Sequence, residues 1–239
     1  MPIGPIINSL AIISGGYLGA LLQNRIPKKL CSAMPLTFGV ASIGMGISSI
    51  TRIDSLPPVI LSLIVGSALG ELINLEKGIE WCANKVQKPI ERLFSKRDTT
   101  HLSPDYMEKF VGIVVLFSAS GTGIFGSLNE GMTGDTSLLI SKSFLDLFTA
   151  TIFATSLGYI VMIVAIPQFL IMITLYFCAG SIMPFTASFM IGDFSAVGGI
   201  IMIATGLRIS GIKSFPIANM LPALLIVMPI SAIWNIFLG

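Results

Sequence analysis

Apolar residues run along this chain in blocks about as long as a membrane is thick, separated by short polar breaks. A helix rises about 1.5 Å per residue, so roughly 20 apolar residues cross the hydrocarbon core of a bilayer. Blocks of that length bounded by charge, proline or glycine fall near 4–22, 33–50, 57–75, 107–127, 136–157, 160–183, 194–210 and 216–237. The pattern predicts eight transmembrane helices. The fifth and sixth have the least marked boundary: between Lys142 and Asp193 the lone charged group is Asp146, and either Gly158-Tyr159 or Pro167-Gln168 can carry the turn.

Composition agrees. Of 239 residues, 54% are hydrophobic and 11% charged, and the mean hydropathy is +0.90, whereas soluble domains carry roughly 25% charged residues. The opening MPIGPIINSLAIISGG lacks the basic start and small-residue cleavage site of a secretory signal, so it is expected to stay as a helix. The chain is therefore expected to be all-α, one polytopic transmembrane domain over 1–239.

Charge placement orients the helices, because Lys and Arg collect in short cytoplasmic loops. Arg25, Lys28 and Lys29 lie in the first loop, seven basic residues between Lys77 and Lys109 in the third, and Arg208 and Lys213 in the last. All three loops share one side when eight spans are counted, with both termini outside. The outward loops then hold Arg52 with Asp54, and the acids Glu130, Asp135 and Asp193. Within 76–106, Ile79, Cys82, Val86, Ile90, Leu93 and Phe94 recur at helical intervals among basic residues, which predicts an amphipathic helix on the cytoplasmic surface.

The chain also echoes itself. Ser42-Ile43-Gly44-Met45-Gly46, Ser120-Gly121-Thr122-Gly123 and Ala204-Thr205-Gly206 each precede a helix-start signal by about ten residues. If spans one to three correspond to spans six to eight, the two units enter the membrane from opposite sides, as inverted repeats do in many transporters.

Two features carry candidate chemistry. GTGIFG, Gly121 to Gly126, is a literal GxGxxG, but a dinucleotide loop needs a strand before it and a soluble βαβ unit around it. Membrane spans flank it here, which excludes that reading. Either the glycines allow close helix packing, with Asp135 and Asp193 capping the spans they precede, or they interrupt the fourth helix. An interruption would leave polar backbone that lipid cannot satisfy, so it must line a cavity or lie inside protein. The second feature is on the fifth span, where Asp135, Lys142, Asp146 and Thr149 are spaced to share one helical face. Burying Lys and Asp costs at least ~2.5 kcal/mol each at mid-span, so they should pair and face the interior, as a structural ion pair or as the lining of a path. Asn219, before Pro222 and Pro229, supplies another polar group; Glu71 ends its span at the interface. Ser120, Gly121, Thr122, Gly123, Asp135, Lys142, Asp146, Thr149, Asp193 and Asn219 are thus the candidate solute- or ion-binding residues.

No HExxH or GxSxG motif lies in the spans, the single histidine is His101 on the cytoplasmic segment, and the three cysteines have no metal-ligand spacing. Neither an enzyme, a cofactor nor a metal is expected. The expected partners are the bilayer, a small solute or ion, and further copies of the chain in a homo-oligomer; nothing points to nucleic acid.

The runs IVVLFSASGTGIFGSLNEGMTGD, SKSFLDLFTATIFA, DFSAVGG, ATGLRISGIK and NMLPALLIVMPISA, with IGPIINS at the start and LEKG before the polar segment, resemble the YqgA/YdfK family of bacterial inner-membrane proteins. The resemblance covers essentially the whole chain. It implies a polytopic protein of the bacterial inner membrane, of a family of unknown function that carries a transport label resting on hydrophobic character, and it assigns no residue a role.

Overall fold

The computed structural model describes residues 1–22, 25–79, 81, 110, 113, 114, 116–118 and 120–238. Every regular element among the described residues is helical: α1 (Ile3–Leu21), α2 (Lys28–Ile50), α3 (Leu56–Leu72), α4 (Gly121–Thr133), α5 (Ser137–Leu157), α6 (Ala165–Ile182), α7 (Ser188–Ile209), α8 (Ile217–Met220) and α9 (Pro222–Leu238), with 3-10 turns at Gly158–Val164 and Met183–Phe185. Ile3–Leu21, Lys29–Ile50, Ser137–Phe185, Ser188–Ile209 and Ile217–Phe237 are long and apolar enough to cross a membrane; Leu56–Leu72 is a shorter apolar helix. Of the amphipathic stretch expected at 76–106, residues 76–79 and 81 are helical, and the remainder, with His101, lies outside the described residues.

The side chains are sorted as lipid requires. Leu10, Val40, Ile64, Phe144, Phe148, Leu170 and Phe177 point outward, while Asn8, Ser42, Lys142, Asp146, Gln168 and Asp193 are buried. Hydrocarbon accepts the first set and penalises the second, so polar groups collect where helices can satisfy one another.

Contacts between helices fix their directions. Gly15 lies against Leu147 and Gly19 against Thr151, so α1 and α5 run parallel. Between α2 and α7 the glycines meet in reverse order, Gly39 with Gly206 and Gly46 with Gly199, making an antiparallel pair. Here the close approach requires glycine: a Cβ on Gly46 would stand 2.5 Å from the Gly199 carbonyl oxygen, and one on Gly199 2.5 Å from that of Gly46. Gly66 against Ala223 and Gly70 against Asn219 set α3 antiparallel to the α8–α9 segment.

Of the two turns expected between Lys142 and Asp193, the chain takes the one between α5 and α6 at Gly158. Its φ of 67° and ψ of −152° close α5, a left-handed conformation that glycine takes without strain. Asp146 and Gln168, almost equally far on either side, meet across the resulting hairpin. Pro167 falls in the first turn of α6, where its missing N–H costs nothing.

At the end of the bundle where α1, α3, α5 and α7 begin, acids cap helices. Glu130 receives the Gly4 N–H of α1 on both carboxylate oxygens at 3.1 Å. Asp193 Oδ1 receives the Asp54 and Ser55 N–H groups at the start of α3, at 3.0 and 2.8 Å. Asp135 Oδ1 receives the Ser137 N–H of α5 at 3.0 Å. A carboxylate there offsets the positive end of the helix dipole. Two expectations are corrected: Glu130 is a buried residue of α4 and not a loop acid, and Asp193 caps α3, because it sits in the second turn of its own helix where the N–H groups already have partners. The opposite end holds Arg25, Lys28, Lys29, Arg208 and Lys213.

Candidate functional site

An interruption precedes the glycine-rich helix among the described residues. Residues 116–118 are helical, Ser120 is extended at φ −69°, ψ 119°, and α4 starts at Gly121. The interruption therefore precedes the glycines, which themselves form regular helix. Their lack of a side chain admits neighbours: Gly126 faces Leu139, Gly131 faces the Tyr176 carbonyl, and Gly121 faces Ile201 and Thr205. The glycines therefore serve close packing, and the break expected of them falls on Ser120 instead.

Opposite that interruption, α5 presents the charged pair. Asp146 lies nine positions beyond Ser137, about 14 Å along the helix axis and so near mid-span. Lys142 Nζ donates to Asp146 Oδ2 one helical turn away. The same oxygen receives Asn8 Nδ2 of α1 at 2.7 Å and Gln168 Nε2 of α6 at 3.1 Å, and Gln168 Nε2 also reaches Asn8 Oδ1 at 2.7 Å. Three helices thus hold one carboxylate. A buried ion pair survives only when its remaining hydrogen-bonding capacity is met; the two amides meet part of it for Asp146. Lys142 Nζ also lies 5.8 Å from the Phe117 ring centroid, within cation–π range.

A cavity of about 470 Å³ adjoins the pair, within the size range of small-molecule sites. Its polar lining comprises Ser42, Ser120, Thr122, Lys142, Asp146, Thr149, Thr205, Arg208 and Ser214, and its apolar lining includes Phe38, Phe117, Leu145 and Phe153. It extends from mid-span to the basic end, where Cys31 begins α2 and Arg208 closes α7. Arg208 is itself paired with Glu76 at 2.7 Å and donates to the Phe215 carbonyl. On the other side Ser42 Oγ donates to the Met202 carbonyl at 3.0 Å and lies 3.5 Å from Thr122 Oγ1, tying α2, α4 and α7 together.

Of the residues singled out in the sequence, Ser120, Thr122, Lys142, Asp146 and Thr149 line this cavity, and Gly121 and Gly123 lie in the α4 turn beside it. The structure separates the other three. Asp135 is at the acidic end in a 3.3 Å pair with Arg52; hydrogen bonds from the Ser137 side chain and backbone, and then Arg52, lower its pKa. Asp193 is spent on α3 and on the Ser231 hydroxyl at 2.6 Å. Asn219 joins Glu71, at 2.5 Å, to the Glu76 N–H, at 2.8 Å. Each is engaged at a helix end, so sharing a sequence stripe or echo did not bring it to the cavity. Sequence reasoning missed Asn8, Gln168, Thr205 and Arg208; for the first two the signal was a lone amide within an apolar run.

Fold and site together define a helical membrane protein with a buried charged pair beside a polar-lined cavity. The chain belongs to the family described as "Protein of unknown function (DUF554)", which it matches over residues 3–232. It is similar to "Uncharacterized protein YqgA" of Escherichia coli (strain K12), with 50% identity over 235 residues and 98% of both chains covered. It is also similar to "Uncharacterized membrane protein YdfK" of Bacillus subtilis (strain 168), with 30% identity over 227 residues and 93% of both covered. No solved structure matches.

Proposed function

We propose that this protein is a permease built from two inverted three-helix units, with a small solute taken up in the cavity beside Lys142 and Asp146. The observation that carries the reading is a lysine 2% exposed and an aspartate 8% exposed, both lining a cavity at the interrupted fourth span. Charges buried in a membrane span are expensive, and transport pathways are where that cost is commonly met; interrupted helices at the midplane are likewise a device of secondary transporters.

The contacts support the repeat. Adding 160 to a residue number carries α1 onto α6, α2 onto α7 and α3 onto the α8–α9 segment. The same shift exchanges the Gly39–Gly206 and Gly46–Gly199 contacts and carries Asn8 to Gln168, the two amides on Asp146. We place eight spans in a bacterial inner membrane with both termini outside, on the strength of the basic loops and the bacterial relatives.

A non-transporting scaffold is the second reading, favoured by how completely Asp146 Oδ2 is satisfied by Lys142, Asn8 and Gln168. Thiol labelling separates the two. With Cys31, Cys82 and Cys178 replaced, Thr149→Cys should react with a membrane-impermeant thiol reagent added from the basic side. Lack of reaction from either side of the membrane would leave the cavity sealed and overturn the permease reading.

A further inference from the structure

The charges around the cavity do not balance. Lys142 and Asp146 cancel formally and meet at Asp146 Oδ2. The start of α4 then adds the positive end of a helix dipole, about +0.5 charge. Ile124 is the first α4 residue whose N–H bonds backward, to the Ser120 carbonyl at 3.0 Å, so the Gly121, Thr122 and Gly123 N–H groups have no partner within the helix. The Ser120 side chain does not cap them.

Lys142 lies against this same turn. A Cβ on Gly123 would stand 2.9 Å from Lys142 Cε and 3.8 Å from Nζ. An ammonium whose side chain is 3% exposed therefore sits beside the positive end of a helix, a repulsive pairing that an anion touching both would reverse. Nζ has three N–H donors, and Asp146 is its one hydrogen-bond acceptor among the described residues. The Oδ1 atom of Asp146 accepts no hydrogen bond from any described residue, and Asp146 lines the cavity. Positive and negative binding elements thus adjoin one another, and Phe38, Leu145 and Phe153 add apolar lining to the same cavity.

We propose that the solute is a small neutral amino acid. Its carboxylate is held by the α4 N–H groups and Lys142, its ammonium by Asp146 Oδ1, and its side chain by the apolar lining. One carbon separates the two charged groups of such a molecule, and the two binding elements likewise adjoin, since Lys142 and Asp146 are in direct contact. The inference rests on reading the cavity as a solute site, and it adds the chemical class.

Titration calorimetry on the purified full-length protein in detergent tests it with leucine, 4-methylpentanoate, which lacks the ammonium, and 3-methylbutylamine, which lacks the carboxylate. Leucine should bind saturably, and each truncated analogue at least about 30-fold more weakly, because each gives up one of the two charged contacts. In Asp146→Asn, leucine should lose at least about as much affinity while 4-methylpentanoate loses none. An analogue binding as tightly as leucine, or no saturable binding by any neutral amino acid, would overturn the proposal. The Thr149→Cys labelling keeps the two ideas apart: reaction without amino-acid binding removes the solute class alone, whereas no reaction removes the permease.

Discussion

The α2–α7 seam supports a sharp test, because each helix presses its bare backbone onto the carbonyl of the other. A methyl at Gly46 would stand 2.5 Å from the Gly199 oxygen and 2.9 Å from Ile203 Cγ1, while ordinary carbon–oxygen contacts start at about 3.3 Å. The helices must part by roughly 0.8 Å, and overpacking of that kind costs about 1–3 kcal/mol. A methyl at Gly44, two residues away on the same helix, would meet nothing within 4 Å, so Gly44→Ala supplies the reference. It carries the helix-propensity gain of Ala over Gly, up to about 1 kcal/mol, without the clash. Relative to it, Gly46→Ala and Gly199→Ala should each lose about 1–3 kcal/mol in reversible unfolding from mixed micelles. One separation relieves both clashes, so the double variant should cost about as much as either single one, a coupling of similar size. Strict additivity of the two, or a Gly44→Ala variant as damaged as Gly46→Ala, would refute the account of this seam.

Two other outcomes follow from the capping acids. Asp193→Ala should destabilise by about 3–5 kcal/mol, since it strands the Asp54 and Ser55 N–H groups and the Ser231 hydroxyl, yet leave leucine affinity unchanged in the fraction that folds; a loss below about 1 kcal/mol in thermal unfolding would count against the cap. Asp135 has a lowered pKa, so its contribution is present above the ordinary aspartate range and is lost as pH falls through the folded-state value. Asp135→Asn should therefore lower the unfolding temperature slightly at pH 7, with the gap from wild type closing at low pH; the effect is small because Arg52 is half exposed.

Much of the architecture was legible in the chain because bilayer thickness imposes block length and the cost of burying charge imposes a shared face on Lys142, Asp146 and Thr149. Spacing along one helix reports neighbours on that helix and nothing else. It could not supply Asn8 and Gln168, which reach Asp146 from 138 and 22 residues away. It also grouped Asp135 with Asp146, although eleven positions put them about 16 Å apart along the axis. The position of the interruption was misjudged for a related reason: glycine is read as a helix breaker, but in a tightly packed bundle its small size is worth more than its flexibility, and the extended residue is the serine before it.

The pairing of helices has a consequence for how the chain assembles. Among the described residues α1, α2 and α3 make little contact with one another, and each docks on a partner from the second half: α1 on α5, α2 on α7, α3 on α9. Glu130 and Asp193, which close the starts of α1 and α3, likewise come more than 120 residues later. The first three helices therefore lack these partners and caps until the later part of the chain has been synthesised, which makes assembly late and cooperative. The halves are complementary surfaces of one another, and a chain cut between α3 and α4 is a natural pair for reassembly from two separately made pieces.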